Sequence, residues 1–434
     1  MKKLTVSLLM SIVIVWFMGS MDAAGQPGEE DVSLDRLADI AIERIAFGSC
    51  AKQWQHQTIW DAVLATKPDL WLFLGDNIYG DTDGMTAWLV SKEQMIGEWN
   101  RLADKPEFQK AREAIPMMAT WDNHDYGSHA GGAEFSVKEG TKEAFLTFWE
   151  EPKNSPRWKR SGIYDAKIFG PTGKRVQVIL LDTKYNRSQF KPDPTPKEER
   201  LKAGKVGGYI PDNDPAKTHL GDEQWAWLEE ELKKPAEVRL LASSTQVIPN
   251  QKGMDEWGNF PVERQRLFDL IKKINANGVI LLSGNVHFAE LSQNSETVYP
   301  LYELTSSGMT HVNETYAHAA NKYRVAGPFI DYNFGLAQID WNAQSSPTIT
   351  LKALDEDGTT GFSHTISLDQ LQNKATRNDK AKTICTDPRP EICTMDYRPV
   401  CAERKDDSHK TYSNGCNACS DHEVIGYIEG SCKE

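Results

Sequence analysis

An α/β fold that carries a metal centre at one end of its strands is what this 434-residue sequence predicts, and three observations support it. First, Asp69-Leu-Trp-Leu-Phe-Leu-Gly-Asp-Asn-Ile-Tyr79 is a short apolar run that stops at Gly75 and then offers Asp76, Asn77 and Tyr79. That is the pattern of a strand buried on both faces of an α/β sheet. Second, strand-like and helix-like segments alternate, which favours parallel pairing through crossover helices. Third, other strand-like runs also end in side chains able to hold a metal: Cys50 after Arg44, Asn123 with His124 and Asp125 after Pro116, and Asn285 with His287 after Gly278. Open α/β sheets bind ligands beyond the carboxyl ends of their strands.

In chain order, Met-Lys-Lys followed by apolar residues 4–18 and small residues near Ala23 and Ala24 reads as a secretory signal peptide over residues 1–24. The apolar run is shorter than the roughly 20 residues a spanning helix needs, so no membrane span is expected after cleavage. The first strand is expected over Ile42–Cys50, a helix over Gln57–Thr66, and then the central strand. Met85–Leu102 has helical spacing, Ile115–Trp121 reads as a strand, and the loop Gly127–Gly132 is a candidate mobile cover. Thr141–Trp149 is a helix whose Phe145, Phe148 and Trp149 suit core packing. After the strand Arg175–Asp182 comes a long excursion, Tyr185–Lys217, the length of a functional or solvated insertion.

Thr218–Leu232 starts with acids and ends in Lys233-Lys234-Pro235, a helix signature. Strand Val238–Val247, helix Pro261–Asn275 and the strand ending in His287 follow. Beyond them Val298–Thr305, Phe334–Trp341, Thr348–Ala353 and Phe362–Leu368 are strand-like runs without intervening helices, expected to form an antiparallel sheet that completes a sandwich. Residues 371–383 read as a linker.

A formal charge of −13 argues against a nucleic-acid-binding surface, which requires a basic stripe. Six of the seven cysteines fall between Cys385 and Cys432. In an exported chain such a cluster implies a disulfide framework, although spacing alone leaves the pairing open. That compartment argues against a zinc site at Cys416 and Cys419, and a secreted or periplasmic location is expected. Cys50 is the odd cysteine.

Taken together, Phe47-Gly-Ser-Cys50, Pro68–Tyr79, Thr120-Trp-Asp-Asn-His-Asp-Tyr-Gly127, Leu181-Asp-Thr183, Ser243-Ser-Thr-Gln246 and Ser283-Gly-Asn-Val-His287 resemble the PhoD-type alkaline phosphatases, a branch of the calcineurin-like metallophosphoesterases. The resemblance covers residues 40–370 and implies a four-layer α/β/β/α metallophosphoesterase sandwich acting on phosphate mono- or diesters. It implies that Cys50, Asp76, Tyr79 and His287 hold a first metal, Fe(3+), with Asp76 bridging. Asp76, Asn123, Asn285 and Gln246 would hold a second, Ca(2+) or another divalent cation. His124 would stabilise the transferring phosphoryl group or protonate the leaving oxygen, its ring oriented by Asp125. Thiolate and phenolate suit a trivalent ion and oxygen-only positions a hard divalent one. Asn123 and Asn285 depart from the family, standing where its members often carry aspartates.

The tail, residues 384–434, resembles a Kazal-type serine protease inhibitor through Cys393-Thr-Met-Asp-Tyr-Arg-Pro-Val-Cys401, Thr411-Tyr-Ser-Asn-Gly-Cys416 and Cys416-Asn-Ala-Cys419. That resemblance implies pairs Cys385–Cys419, Cys393–Cys416 and Cys401–Cys432. It also implies a protease-contact loop at Thr394, Met395 and Asp396, with Met395 entering a serine protease's primary pocket and Asn414 supporting the loop. The competing function class is a secreted protease-binding protein for which the phosphatase-like domain is a scaffold.

Overall fold

The computed structural model describes residues 33–82, 90–129, 131–373, 383–406 and 408–432. The expected signal peptide, part of the 85–102 helix and most of the linker lie outside the described residues. The chain begins with β1 Arg44–Gly48, α1 Ile59–Ala65, β2 Leu70–Leu74, α2 Lys92–Ala103, α3 Pro106–Ala114, β3 Met117–Thr120, the single turn α4 Asn123–Tyr126 and α5 Lys138–Phe148. Next come β4 Asp165–Phe169, β5 Val176–Leu180, β6 Lys191–Pro192, α6 Lys197–Lys202, β7 Tyr209–Ile210, α7 Gly221–Lys233, β8 Val238–Ala242, α8 Pro261–Ile274 and β9 Val279–Ser283. Then follow β10 Ala289–Asn294, β11 Leu301–Ser306, α9 Glu314–Ala317, β12 Arg324–Phe329, β13 Asn333–Asp340, β14 Thr348–Asp355 and β15 Thr360–Ser367.

One six-stranded sheet has the order β15-β14-β13-β1-β2-β3, and a seven-stranded sheet the order β12-β10-β11-β9-β8-β5-β4. β1, β2 and β3 pair in parallel, as do β5, β8, β9 and β11. Alternation along β2 explains the layering. Leu70, Leu72 and Leu74 join the core that contains Val178, Leu240 and Leu281 of the other sheet, whereas Trp71 and Phe73 join a second core with Trp60, Trp99, Phe108 and Phe145 from α1, α2, α3 and α5. Trp225 and Leu228 of α7 and Leu267 and Ile271 of α8 belong to the first core. Helices, two sheets and helices therefore make four layers, with every residue of β2 buried on two apolar sides.

The late strands correct one expectation. They form no separate sheet: β11 joins the second sheet beside β9, while β13, β14 and β15 extend the first, antiparallel from β1. Alternation shows that a strand has two faces, but it does not say which edge the strand will pair with. The one-turn α9 also interrupts the expected helix-free run.

In the tail, β16 Thr383–Ile384, β17 Val400–Arg404, β18 His409–Tyr412, α10 Gly415–Ser420 and β19 Val424–Glu429 form a small unit whose sheet has the order β16-β19-β17-β18. Disulfides join Cys385 to Cys419, Cys393 to Cys416 and Cys401 to Cys432. Its core is little more than Val400, Ala402, Ala418 and Val424, so the bridges must supply much of its stability. Cys393 and Cys416 are 23 residues apart, and opening a loop of that size costs about 3 kcal/mol. The double variant Cys393→Ser/Cys416→Ser is expected to make the tail selectively protease-sensitive while the two-sheet unit still unfolds at its usual temperature. Wild-type resistance of the tail would contradict this.

Candidate metal centre

The turns after β1, β2, β3 and β9 meet where the two sheets face each other. Close approach is built into the glycines: a Cβ on Gly75 would lie 2.5 Å from the Cβ of Asp122, and one on Gly284 only 2.3 Å from Ser49 Oγ. Backbone bonds lock the turns, with Cys50 N–H donating to Gly75 O at 3.4 Å and Ala51 N–H to Asp76 O at 2.9 Å.

Cys50, Asp76 and His287 place one ligand atom each within 4.8 Å of one another. Cys50 and Asp76 are buried, with 0% and 1% exposure, and Sγ lies 3.5 Å from Asp76 Oδ2. Backbone conformation singles out the same residues. Non-glycine residues with positive φ include Cys50 (62°), Asp76 (49°), Asn285 (71°) and His287 (61°). The other three described cases, Lys67, Glu150 and Asn275, lie within two residues of helix C-termini, where such geometry is ordinary. Strained backbone of this kind persists where the surroundings over-determine it, and it clusters at functional sites.

Tyr79 borders the cluster. Its ring stacks on His124 with centroids 4.0 Å apart, and Oη lies 3.0 Å from His311 Nε2. Asn123 begins α4, and its Nδ2 lies 3.3 Å from His129 Nδ1. Asn285 Nδ2 donates to Asp255 O at 3.4 Å. Asn123, His129, Gly208, Tyr209, Asp255 and Asn285 help line a cavity of about 430 Å³, so the excursion at 185–217 supplies one wall through its β7 end.

Gln246 is placed differently. Its amide nitrogen donates to Glu290 at 2.8 Å and Thr305 at 2.9 Å, within a buried network that includes Lys252 and Arg324. Its Oε1 is buried without a hydrogen-bond partner among the described residues.

The orienting partner of His124 is Asp81, not Asp125. Asp81 Oδ1 sits 2.5 Å from His124 Nδ1, whereas Asp125 accepts the backbone N–H groups of Asn77 at 2.8 Å, Ile78 at 3.0 Å and Asp122 at 2.9 Å. Those three bonds clamp the β2 and β3 turns together and fix the carboxylate on the backbone, while the His124 ring nitrogen meets Asp81. Asp76 Oδ1 accepts His124 N–H at 3.1 Å, tying the central carboxylate to α4.

The electrostatics describe acidic groups that burial and mutual repulsion keep protonated, and that a bound cation would help to ionise. Burial first and the Asp76 charge second push the Cys50 thiol well above its usual range. Burial, then Cys50 and Asp76, do the same to the Tyr79 phenol. Burial holds His287 neutral by pulling it down to about 3, which leaves a lone pair for a metal. His124 moves the other way: burial pulls it down, but Asp76 and Asp81 outweigh it and the net shift is upward. Behind Asn123, the fully buried Lys184 pairs with Asp122 at 2.6 Å and also with Asp255. Burial still pushes Asp122 up to about 7. Sulfur, carboxylate and imidazole converging in a buried pocket form a group that could hold a metal ion.

Sequence reasoning missed Asp81, His311 and Lys184. Asp81 is two residues beyond Tyr79 and was open to notice. His311 carries no local motif, since its partner Tyr79 is 232 residues away.

The PhoD-like phosphatase family model matches residues 45–323. Alkaline phosphatase D of Bacillus subtilis (strain 168) is 25% identical over 285 residues, which cover 58% of this chain and 46% of that protein. The chain thus spans about half the length of that curated relative. A solved structure described as the structure of PhoD shares the fold, with a TM-score of 0.54 and 19% identity over 76% of this chain and 72% of that one. Another, described as GAP50, the anchor in the inner membrane complex of Plasmodium, has a TM-score of 0.46 at 12% identity over 75% of this chain and 88% of that one. With its motif-bearing turns inside a match that spans well over half its length, this chain belongs to the PhoD-like phosphatase family.

Proposed function

We propose that this chain is an exported, metal-dependent phosphoesterase that hydrolyses phosphate mono- or diesters at the Cys50–Asp76–His287 cluster. The observation that carries the reading is the convergence of those three ligand atoms within 4.8 Å in a chain of a phosphatase family. Three disulfides support export, and among the described residues no helix is long and apolar enough to cross a membrane. Cys50, Asp76, Tyr79 and His287 would hold Fe(3+). Asp76, Asn123 and Asn285, with the unpartnered Oε1 of Gln246 as a further oxygen, would hold Ca(2+) or another divalent cation. Bound there, two cations would offset phosphoryl charge and lower the pKa of the attacking water.

The chain's own groups do the rest. Asp81 holds His124 Nδ1, so Nε2 is the nitrogen left to face substrate. The upward shift of His124 favours the imidazolium, which donates to a phosphoryl oxygen and then passes its proton to the leaving oxygen. Asn123 and Asn285 also line the cavity of about 430 Å³ that would admit the ester. The test is hydrolysis of a chromogenic phosphodiester beside the matching monoester by the full chain with its native metals, using Asp76→Asn as control. Failure of folded, metal-loaded protein to turn over either ester sinks the reading.

A second reading concerns the tail: a Kazal-like module that binds a serine protease. Buried Asn414 donates through Nδ2 to Thr394 O at 2.9 Å and Asp396 O at 3.0 Å, holding the loop from inside while Met395 is fully exposed. A rigid loop with an outward anchor lowers the entropic cost of binding. Met395→Asp is expected to weaken inhibition of a chymotrypsin- or subtilisin-like protease at least tenfold without changing esterase activity. Equal inhibition by both proteins would remove Met395 from the contact, and none by either would make the tail a spacer.

A further inference from the structure

One continuous segment after β11 touches the turns that carry three of the four proposed ligands of the first metal. Ser307 Oγ lies 3.1 Å from Cys50 Sγ and accepts the backbone N–H of His287 at 2.9 Å. Met309 N–H donates to Ser49 O at 3.2 Å, and Thr310 N–H and Oγ1 both reach Cys50 O, at 3.3 and 3.2 Å. His311 Nε2 meets Tyr79 Oη at 3.0 Å, and Asn313 N–H donates to His287 O at 2.8 Å. Ser307 is 257 residues from Cys50 and fully buried.

We propose that Ser307–Asn313 is a positioning strap for the thiolate side of the metal centre, in which Ser307 donates its hydroxyl hydrogen to the Cys50 sulfur. The inference rests on the metal reading above. A thiolate has no hydrogen to give, so once Cys50 is deprotonated the direction of the 3.1 Å contact is fixed. The serine oxygen is already an acceptor for His287 N–H, which aims its single hydrogen elsewhere. The neighbouring Ser49 hydroxyl is farther from the sulfur, 3.7 Å, and lies closer to Ser306 O, at 3.2 Å. One side chain thereby couples two ligands: it sets the electron density on the sulfur and fixes the left-handed turn of His287. Groups that hold metal ligands in this way commonly change metal affinity by about 10–100-fold when removed.

The experiment uses the full chain stripped of metal and titrated with Co(II), read by the thiolate-to-cobalt charge-transfer band. Wild-type protein is expected to develop the band, and Cys50→Ser is expected to lack it. Ser307→Ala, which deletes one oxygen atom, is expected to bind Co(II) about 10–100-fold more weakly. Its band should move to lower energy, because an unbonded sulfur gives up its electron more readily. Ser307→Thr, which keeps the hydroxyl, should leave the band in place. His311→Gln reads the other end of the strap: weaker Co(II) binding with the sulfur band unmoved. A Ser307→Ala protein with wild-type affinity and band position overturns the proposal. So does wild-type affinity in His311→Gln, which decides the matter if the alanine variant does not fold. A wild-type chain with no band at all overturns the metal reading itself, and the strap with it.

Discussion

Asp76→Asn is expected to lower kcat/KM on any phosphate ester by about a thousandfold or more while leaving the chain folded. Asp76 stands at the meeting point of the site. Its Oδ2 faces the Cys50 sulfur at 3.5 Å and its Oδ1 accepts the backbone N–H of His124 at 3.1 Å. In the proposed reading Asp76 is the anion that both cations share, and such metals supply several kcal/mol of transition-state stabilisation that its loss would forfeit. Each ~1.4 kcal/mol is a factor of ten in rate. Stability should not follow activity. Asparagine tolerates the positive φ at this position, and its amide oxygen still accepts the His124 N–H. Removing a buried negative charge also relieves the Cys50 thiol, which Asp76 pushes up. The measurement pairs kinetics with metal content and a thermal melt. Activity within tenfold of wild type at unchanged metal content would remove Asp76 from the bridging role.

What the sequence made legible follows from what is local. β2 is an apolar run with every side chain buried, and the change at Gly75 to Asp76 is abrupt, so the strand and its chemical end stood in one window of residues. The turns after β1, β3 and β9 repeat that pattern. The clamp role of Asp125 was not legible, because an Asp beside a His suggests a partner for the ring. Only the fold shows that the backbone N–H groups of Asn77, Ile78 and Asp122 take both of its oxygens. β13 likewise reads as a strand anywhere, but its antiparallel seat beside β1 depends on a pairing across almost the whole two-sheet unit. Lys184 illustrates the same limit. A lysine after a strand reads as solvated surface, and burial between Asp122 and Asp255 is a property of three turns together.

Asp81→Asn is the second large effect, and its size should depend on the leaving group. Asp81 touches His124 Nδ1 and has no place in the cluster of ligand atoms, so it acts through the histidine as a positioning residue. Losing it frees the ring to turn and removes one of the charges that favour the imidazolium. General acid catalysis contributes about 10²–10⁴-fold where the leaving oxygen needs a proton. An alkyl phosphate, whose alkoxide is a poor leaving group, should therefore lose about a hundredfold in kcat. A nitrophenyl phosphate, which departs as a stable anion, should lose less than about tenfold. A simple structural defect would lower both substrates equally, so the ratio separates the two accounts. His124→Ala should show the same asymmetry with a larger loss on the alkyl ester. Adding Asp81→Asn to it should cost little more, because groups that act as a unit are not additive. Independent losses that multiply in the double variant would instead place Asp81 in direct contact with substrate. The Asp81–His124 pair would then be two separate contributors, whereas the proposed reading of the 2.5 Å contact is one acid and its support.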